Sequence, residues 1–485
     1  MPLEDEILDL CQSCRHDAER VSLANVRSHV AGLDRRVPLT DGRSVPYTNL
    51  DNAATTPPFT TVLSCLERFA QCYSSVHRGS GFKSLFSTHV YELCRKTVAE
   101  FIGADLDHHT LIFVQNATHA LNKLARRICP AGGHVVISTT MEHHSNMLPW
   151  RRLGCTVEYS GVRPSDGSLD MAELERRVRA AAGRLCLVTV TGASNVTGIM
   201  PPLRRIARLA HEHGALVAAD VTQLVPRRPL RMGAPDDPER LDFIAFSAHK
   251  MYAPFGSGVL VGPRRVFEQG EPDMVGGGTI HAVTTEHVHW AEPPERDEAG
   301  TPNVTGVVAL ASAVQTLRSI GMEEVAEHER ALTRRLLSRL RPLEGLRLYG
   351  PDSLEAESDR ISVVPFQLEN LTHGRVAAAL GFEWGIGVRN GCFCAQPYLR
   401  ELLGIPPRDM GRVVDALVEG RHAAAPGLVR ASCAVYNTPE EVDYLAEALE
   451  RLIADGPRQR YVLHPEYGDY VPEGVPFQLE DYVRL

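Results

Sequence analysis

Through the middle of this chain, short runs of apolar residues alternate with stretches whose apolar positions recur every three or four residues. The runs at 111–114, 134–138, 156–159, 185–190, 215–219, 243–246 and 258–261 predict strands. The stretches at 118–128, 171–181 and 203–213 have the helical period. Short apolar strands separated by amphipathic helices predict an α/β fold with a mostly parallel sheet covered on both faces. Sheets of that kind bind ligands at the carboxyl ends of their strands, and candidate chemistry is sought there.

The flanks read differently. Residues 1–45 predict a helical arm, with Leu23, Val26, Val30 and Leu33 at helical spacing. Residues 47–58 predict an extended segment ending in prolines, followed by a helix at 59–73, a polar loop at 74–84 and a helix at 87–101. After Pro302 come long helical stretches at 304–319 and 322–340, a strand at 361–364, a helix at 374–380 and a strand at 386–388. The loop 389–397, a strand at 428–432 and a helix at 440–453 complete a smaller α+β unit. The expected division is an arm (1–45), a large domain (46–303), a small domain (304–455) and a tail without clear period (456–485).

Composition narrows the function. A charged fraction of 23% with 44% hydrophobic residues is that of a globular chain. A net charge of −9 and the lack of a basic stripe argue against nucleic acid as a partner. No apolar run approaches the ~20 residues that span a bilayer, so no membrane association is expected. Residues 1–6 are acidic and lack the basic-then-apolar start of a secretory signal, so the expected location is cytoplasmic. The eleven cysteines predict reduced thiols, and the pairs Cys11/Cys14 and Cys392/Cys394 lie too far apart in sequence to suggest a zinc site.

Two polar residues stand out at the strand ends. Asp220 closes the run 215–219, and Lys250 follows the run 243–246 in Ser247-Ala248-His249-Lys250. A lysine there is costly unless its amine is neutral or covalently engaged. The pair suits pyridoxal phosphate, with the lysine forming a Schiff base and the aspartate keeping the pyridine nitrogen protonated. An ordinary buried Asp–Lys ion pair would have the same spacing, and from these two positions both readings stand. Other strand ends carry Asn116-Ala117-Thr118 at a helix start suited to phosphate, Glu142-His143-His144, and Asn195.

Together these stretches resemble the aminotransferase class V family, in its cysteine desulfurase and selenocysteine lyase branch. The matching segments are LDNAATT (50–56), VHRG (76–79), NATHALN (116–122), MEHHSNMLPW (141–150), ASNVTG (193–198), DVTQ (220–223), FSAHK (246–250), VGGGTI (275–280), AGTPN (299–303), VRNGCFCAQPYL (388–399) and VRASCAVYNTPEEVD (429–443). The resemblance implies a fold-type I transferase that uses pyridoxal 5′-phosphate. It implies that Lys250 carries the cofactor, Asp220 pairs with its ring nitrogen, and His143 stacks over the ring. Asn195 and Gln223 would bond its phenolic oxygen, and Ala117, Thr118, Ser247 and His249 would hold its phosphate. Thr301 would reach the phosphate in a neighbouring subunit, so a homodimer is expected. Arg430 would grip the substrate carboxylate, with Arg389, Asn52 and His77 also on the substrate side and Asn390 beside Arg389 in the loop.

In that branch the nucleophile is a cysteine five positions after the loop arginine, here Cys394. Its thiolate would take sulfur from L-cysteine as a persulfide, leaving alanine, with a sulfur-acceptor protein as a further partner. Three departures bear on the substrate. Cys392-Phe393 stands where His-His is common, His119 stands where a glutamate is common, and DVTQ replaces DGAQ. A second thiol at Cys392 has three uses open to it: accepting sulfur, forming a disulfide, or neither. The alternative is a C–S lyase, epimerase or aminotransferase of the same family, working through Lys250 without a thiol.

Overall fold

The computed structural model describes residues 20–129, 133–351, 360–409, 425–464 and 468–474, with isolated positions 17, 411, 414, 415 and 418. A sheet of seven strands runs in the order His109–Val114, Gly258–Pro263, Phe243–Ser247, Leu216–Asp220, Leu185–Thr191, Val135–Thr139 and Thr156–Ser160. Gly258–Pro263 is antiparallel to both neighbours, and the other pairings are parallel. The faces alternate as the two-residue strand period requires. Leu111, Phe113, Val188, Val190, Val217 and Ile244 pack into one core. Ile112, Val114, Leu187, Ala218, Phe243 and Ala245 pack into another on the opposite side. Both faces are therefore covered except at the edge strand Thr156–Ser160, which is partly exposed, and this is why the inner strands read as apolar runs.

A second sheet of four antiparallel strands, in the order Leu346–Leu348, Val363–Leu368, Leu428–Ser432, Arg389–Gly391, has its own core with the helices Met322–Leu340, His373–Trp384 and Pro439–Asp455. The helix Val304–Ile320 was expected with this unit. Instead Val304, Val307, Leu310, Val314 and Leu317 join the large core beside Val62, Phe69, Tyr91 and Val98. Conversely, Leu50 packs into the small core, and Thr48–Asn49 pairs in parallel with Ile386–Gly387. The segment 50–56 thus threads between the two cores. Among the described residues no single helix is long and apolar enough to cross a membrane.

Several expectations are corrected. Residues 1–16, with Cys11 and Cys14, lie outside the described residues, but from residue 20 the arm is not helical. It is a short 3-10 turn, Val26–His29, then a hairpin of Arg36–Pro38 with Ser44–Pro46. Gly32 and Gly42 take left-handed φ of 83° and 82°, and Pro38 and Pro46 cannot donate in a helix. Helical spacing here reflects Val26 and Val30 facing the large core. The tail also has structure: Tyr461–Leu463 pairs with Tyr470–Pro472, and Glu383 accepts from the Arg458 and Gln459 N–H groups and the Tyr461 hydroxyl. Gly374 has no Cβ, so the Tyr470 ring lies against its helix; an added Cβ would stand 2.9 Å from that ring. Finally, Cys129 and Cys155, expected as thiols, form a disulfide across 26 residues, joining the end of the helix Ala117–Ile128 to the start of Thr156–Ser160. Only the packing of that helix on the sheet brings them together.

Asn52 fastens the threaded segment. Its buried amide donates to the Asn49 and Ser432 carbonyls and to Asn437 Oδ1 at 3.0–3.1 Å, and accepts from the Tyr436 hydroxyl at 2.6 Å. Asn52→Ala leaves several buried groups unpaired and is expected to lower unfolding stability by about 2–4 kcal/mol. Urea denaturation checks this, and a change under about 0.5 kcal/mol would contradict the assigned role.

Candidate active site

The carboxyl ends of the parallel strands open into a cavity of about 440 Å³. Its floor is Lys250, on the 3-10 turn Ala248–Lys250 that follows the strand Phe243–Ser247. The turn is held by the threaded segment: the Thr55 and Thr56 hydroxyls and the Thr56 N–H all donate to the His249 carbonyl, at 3.0–3.2 Å. Tyr252 next to it has φ of 60°, an outlier for a bulky side chain, and its ring stacks on Phe59 at 4.2 Å. Desolvation pushes the Lys250 amine down to about 8. Asp220 opposes that shift, while the Arg430 and Arg227 charges reinforce it.

Asp220 ends the strand Leu216–Asp220, in register with Ala245 on the neighbouring strand. Its Oδ1 accepts from the Thr222 N–H at 3.1 Å and from the Thr222 hydroxyl at 2.6 Å. The threonine that distinguishes DVTQ therefore orients the aspartate, a role the pattern of types did not suggest. Gln223 donates through Nε2 to the Ala53 carbonyl at 2.7 Å, which leaves Oε1 buried and unpartnered. In this placement the group the amide leaves free is an acceptor, which a phenolic hydroxyl could meet as donor.

His143 follows the strand Val135–Thr139, and desolvation together with the Lys250 charge depresses it to about 4. Its Nδ1 accepts the Ser145 N–H at 3.1 Å, so the neutral ring carries its proton on Nε2. Behind it Glu142 is fully buried, bonded by Thr139, Asn146 and the Thr191 N–H, and burial raises its carboxyl to about 8. At the cavity's other end the N-terminus of Ala117–Ile128 presents the Ala117 N–H, which meets Ser247 Oγ at 2.8 Å, and the Thr118 hydroxyl, 2.7 Å from Ser145 Oγ. His249, depressed to about 4 by desolvation, lines the same end.

On the opposite wall stands Arg430, from the strand Leu428–Ser432. Nη2 meets Asp51 Oδ1 at 2.9 Å, Nη1 donates to the Asn195 carbonyl at 2.8 Å, and Nε is buried without a partner. Desolvation lowers it to about 10, so it is cationic at neutral pH. The expected free fork already has a resident carboxylate, since a buried guanidinium needs a counter-ion. Arg389 is exposed, 3.9 Å from the other Asp51 oxygen.

The loop expected at 389–397 is more ordered than that: a strand at Arg389–Gly391, a turn, and a helix at Gln396–Leu402. The turn closes through the Ala395 N–H to the Cys392 carbonyl at 3.0 Å, with Phe393 and Cys394 both at φ of 54°. Two consecutive non-glycine residues in the left-handed region cost about 1–2 kcal/mol each. Contacts from the large domain hold them there. The Phe393 carbonyl accepts from Asn195 Nδ2 at 2.7 Å and the Cys394 carbonyl from the His144 N–H at 2.8 Å. The Phe393 ring covers the Arg430 guanidinium at 4.9 Å. Cys394 is left exposed, on the cavity wall.

Lys250, Cys394, His143, Ala117, Thr118, Asn195, Asp220, Gln223, Ser247, His249, Arg389 and Arg430 thus line one cavity. Asn52, His77 and Thr301 do not. Asn52 is turned into the packing between the cores, because each of its amide groups is satisfied there. His77 is exposed, its ring edge-on to Tyr91, and Thr301 lines a separate cleft beside Glu298. Reading by residue type missed Thr222, Asp51 and His144. Asp51 was visible inside LDNAATT, but its role depends on a strand nearly four hundred residues away. The residues present fit pyridoxal phosphate. Hydroxyls and a helix N-terminus at one end suit a phosphate dianion, a carboxylate faces the cavity floor, and a depressed lysine amine and a neutral imidazole lie between.

Residues 48–445 match the family described as aminotransferase class-V. A probable cysteine desulfurase of Halalkalibacterium halodurans is 33% identical over 416 residues, 84% of this chain and 93% of that protein. A cysteine desulfurase of Haloferax volcanii is 34% identical over 420 residues, 84% and 90%. Among solved structures, apo cysteine desulfurase from Thermococcus onnurineus superposes with a TM-score of 0.75 at 31% identity, covering 90% of this chain and 98% of that one. The Escherichia coli cysteine desulfurase CsdA in its S-sulfonic acid form gives 0.72 at 28%, covering 89% and 98%.

Two expectations follow from the geometry. The uncharged amine is the form that attacks an aldehyde, so uptake of pyridoxal phosphate by the cofactor-free chain should quicken as pH rises through about 8. Stopped-flow absorbance reads this, and a midpoint in the ordinary lysine range would contradict the desolvated amine. Thr222→Val removes the hydroxyl on Asp220 at nearly constant shape and should weaken cofactor retention about five- to tenfold, about 1–1.4 kcal/mol. Equilibrium dialysis decides, and an unchanged Kd would remove Thr222 from the site.

Proposed function

Because the chain belongs to the aminotransferase class-V family, we propose that it is a pyridoxal phosphate-dependent cysteine desulfurase that moves sulfur from L-cysteine onto Cys394 and leaves alanine. The observation that carries this reading is the exposed Cys394 thiol on the wall of the cavity floored by Lys250 and Asp220. Aminotransferases, epimerases and lyases of this kind need only the lysine as proton carrier, and a thiol held at the cost of a strained turn has no use in their chemistry.

The residues then divide the work. Lys250 would hold the cofactor covalently, with Asp220 on the ring nitrogen, His143 over the ring, and Ala117, Thr118, Ser247 and His249 about the phosphate. The bound cofactor supplies the electron sink that weakens bonds to the substrate's Cα. Lys250 Nζ would be the base for the substrate's Cα proton, and its depressed pKa suits that transfer near neutral pH. Neutral His143 carries a proton on Nε2 that a departing or attacking sulfur can exchange. Arg430 would receive the substrate carboxylate with the N–H groups that Asp51 and Asn195 leave free. Arg389, at the rim, offers a second cation. A homodimer, with Thr301 completing the neighbour's phosphate site, follows from the same reading and agrees with Thr301 lying outside this chain's own cavity.

Cys394→Ser is expected to abolish sulfide release from L-cysteine by at least about a hundredfold while the cofactor's visible absorbance, and its change on adding cysteine, persist. Alanine and sulfide are quantified together. Turnover at the wild-type rate would assign the chain to the thiol-independent chemistry instead.

A further inference from the structure

The turn 392–395 separates two cavities. Cys394 lines both the active-site cavity and an outer one of about 300 Å³, whereas Cys392 lines only the outer one. Arg389, Arg400 and His373 share the outer wall, and Tyr470 of the C-terminal hairpin closes it. The inner side of the turn is pinned: Asn195 and His144 hold the carbonyls of Phe393 and Cys394, and Phe393 is packed beneath them over Arg430. Moving the turn as a whole to carry sulfur outward would break all of these contacts. A second thiol already stands on the far side, two residues away and partly exposed.

Resting on the desulfurase reading above, we propose that Cys392 is a second persulfide site, which takes the sulfur from Cys394 across the turn and presents it to a small thiol in the outer cavity. The Cys392 thiolate attacks the terminal sulfur of the Cys394 persulfide. The S–S bond to Cys394 breaks as the S–S bond to Cys392 forms. The electron pair stays on the Cys394 sulfur, which takes up the proton that Cys392 released. The step is an exchange with no net oxidation, and no further reactant is needed.

The test uses the cofactor-loaded full chain given limiting L-cysteine, quenched with an alkylating reagent over time and digested with trypsin. Residues 390–400 form one tryptic peptide holding both cysteines, and its fragmentation locates the extra sulfur. In the wild type, sulfur is expected first on Cys394 and then on Cys392. Cys392→Ser should confine it to Cys394 and slow its transfer to added dithiothreitol about tenfold. Cys394→Ser should leave neither position labelled. Sulfur on Cys394 alone at all times, a Cys392–Cys394 disulfide in place of the second persulfide, or wild-type transfer in Cys392→Ser would overturn the relay and leave the desulfurase reading standing. Labelling of Cys392 in Cys394→Ser would overturn the order of the steps. A wild type labelled at neither position would overturn the desulfurase reading and the relay with it.

Discussion

Everything in this site depends on keeping one lysine amine poor in water without letting it bury an unpaired charge. Lys250 lies at the end of a central strand, with Asp220 supplying the opposite charge and Arg430 and Arg227 adding charges of the same sign. That balance leaves the amine able to lose its proton near neutral pH. The balance needs a closed floor, and the floor is closed by backbone. The Thr55–Thr56 segment bonds the lysine turn, Gln223 bonds Ala53, and Ser432 bonds the Ala53 N–H. One extended stretch from near the start of the chain is therefore what joins the lysine, the aspartate and the arginine strand into a single crevice.

The second constraint is the turn that carries Cys394. A local sequence of Cys-Phe-Cys-Ala has no preference for two successive left-handed residues. The conformation exists because the large domain overdetermines it, through Asn195, His144 and the cation–π packing of Phe393 on Arg430. Arg430 and Asn195, which bond each other on the cavity wall, thus also hold the turn that bears Cys394. Strain at this point keeps the thiol exposed between two cavities, while its neighbours stay packed.

How much of this was legible depends on the range of the interaction. The strands of the large sheet could be read from their apolar runs because, the edge strand Thr156–Ser160 apart, both faces are buried, and each observed strand overlaps its expected run. Strand ends then pointed to Asp220, His143, Asn195 and Lys250, since a polar group closing a buried strand stands out. Local period misled where packing, and not helix, set the spacing, as at Val26 and Val30 before the hairpin 36–46. It was silent for the hairpin Tyr461–Leu463 with Tyr470–Pro472, which is ordered by contacts with Glu383 and with the helix that bears Gly374.

The sequence by itself determined the α/β architecture, the family and many of the residues that line the cavity, though not that Asn52 and His77 lie outside it or that Thr222 lies within, because apolar runs and residue types at strand ends are local facts. Only the tertiary structure decided what those residues face. Asp51 on Arg430, Thr222 on Asp220, the Cys129–Cys155 disulfide and the two cavities on either side of Cys392 and Cys394 depend on where strands and helices come to rest. Charge pairing and strain are properties of close approach, and between residues distant in the chain such approach is created by packing.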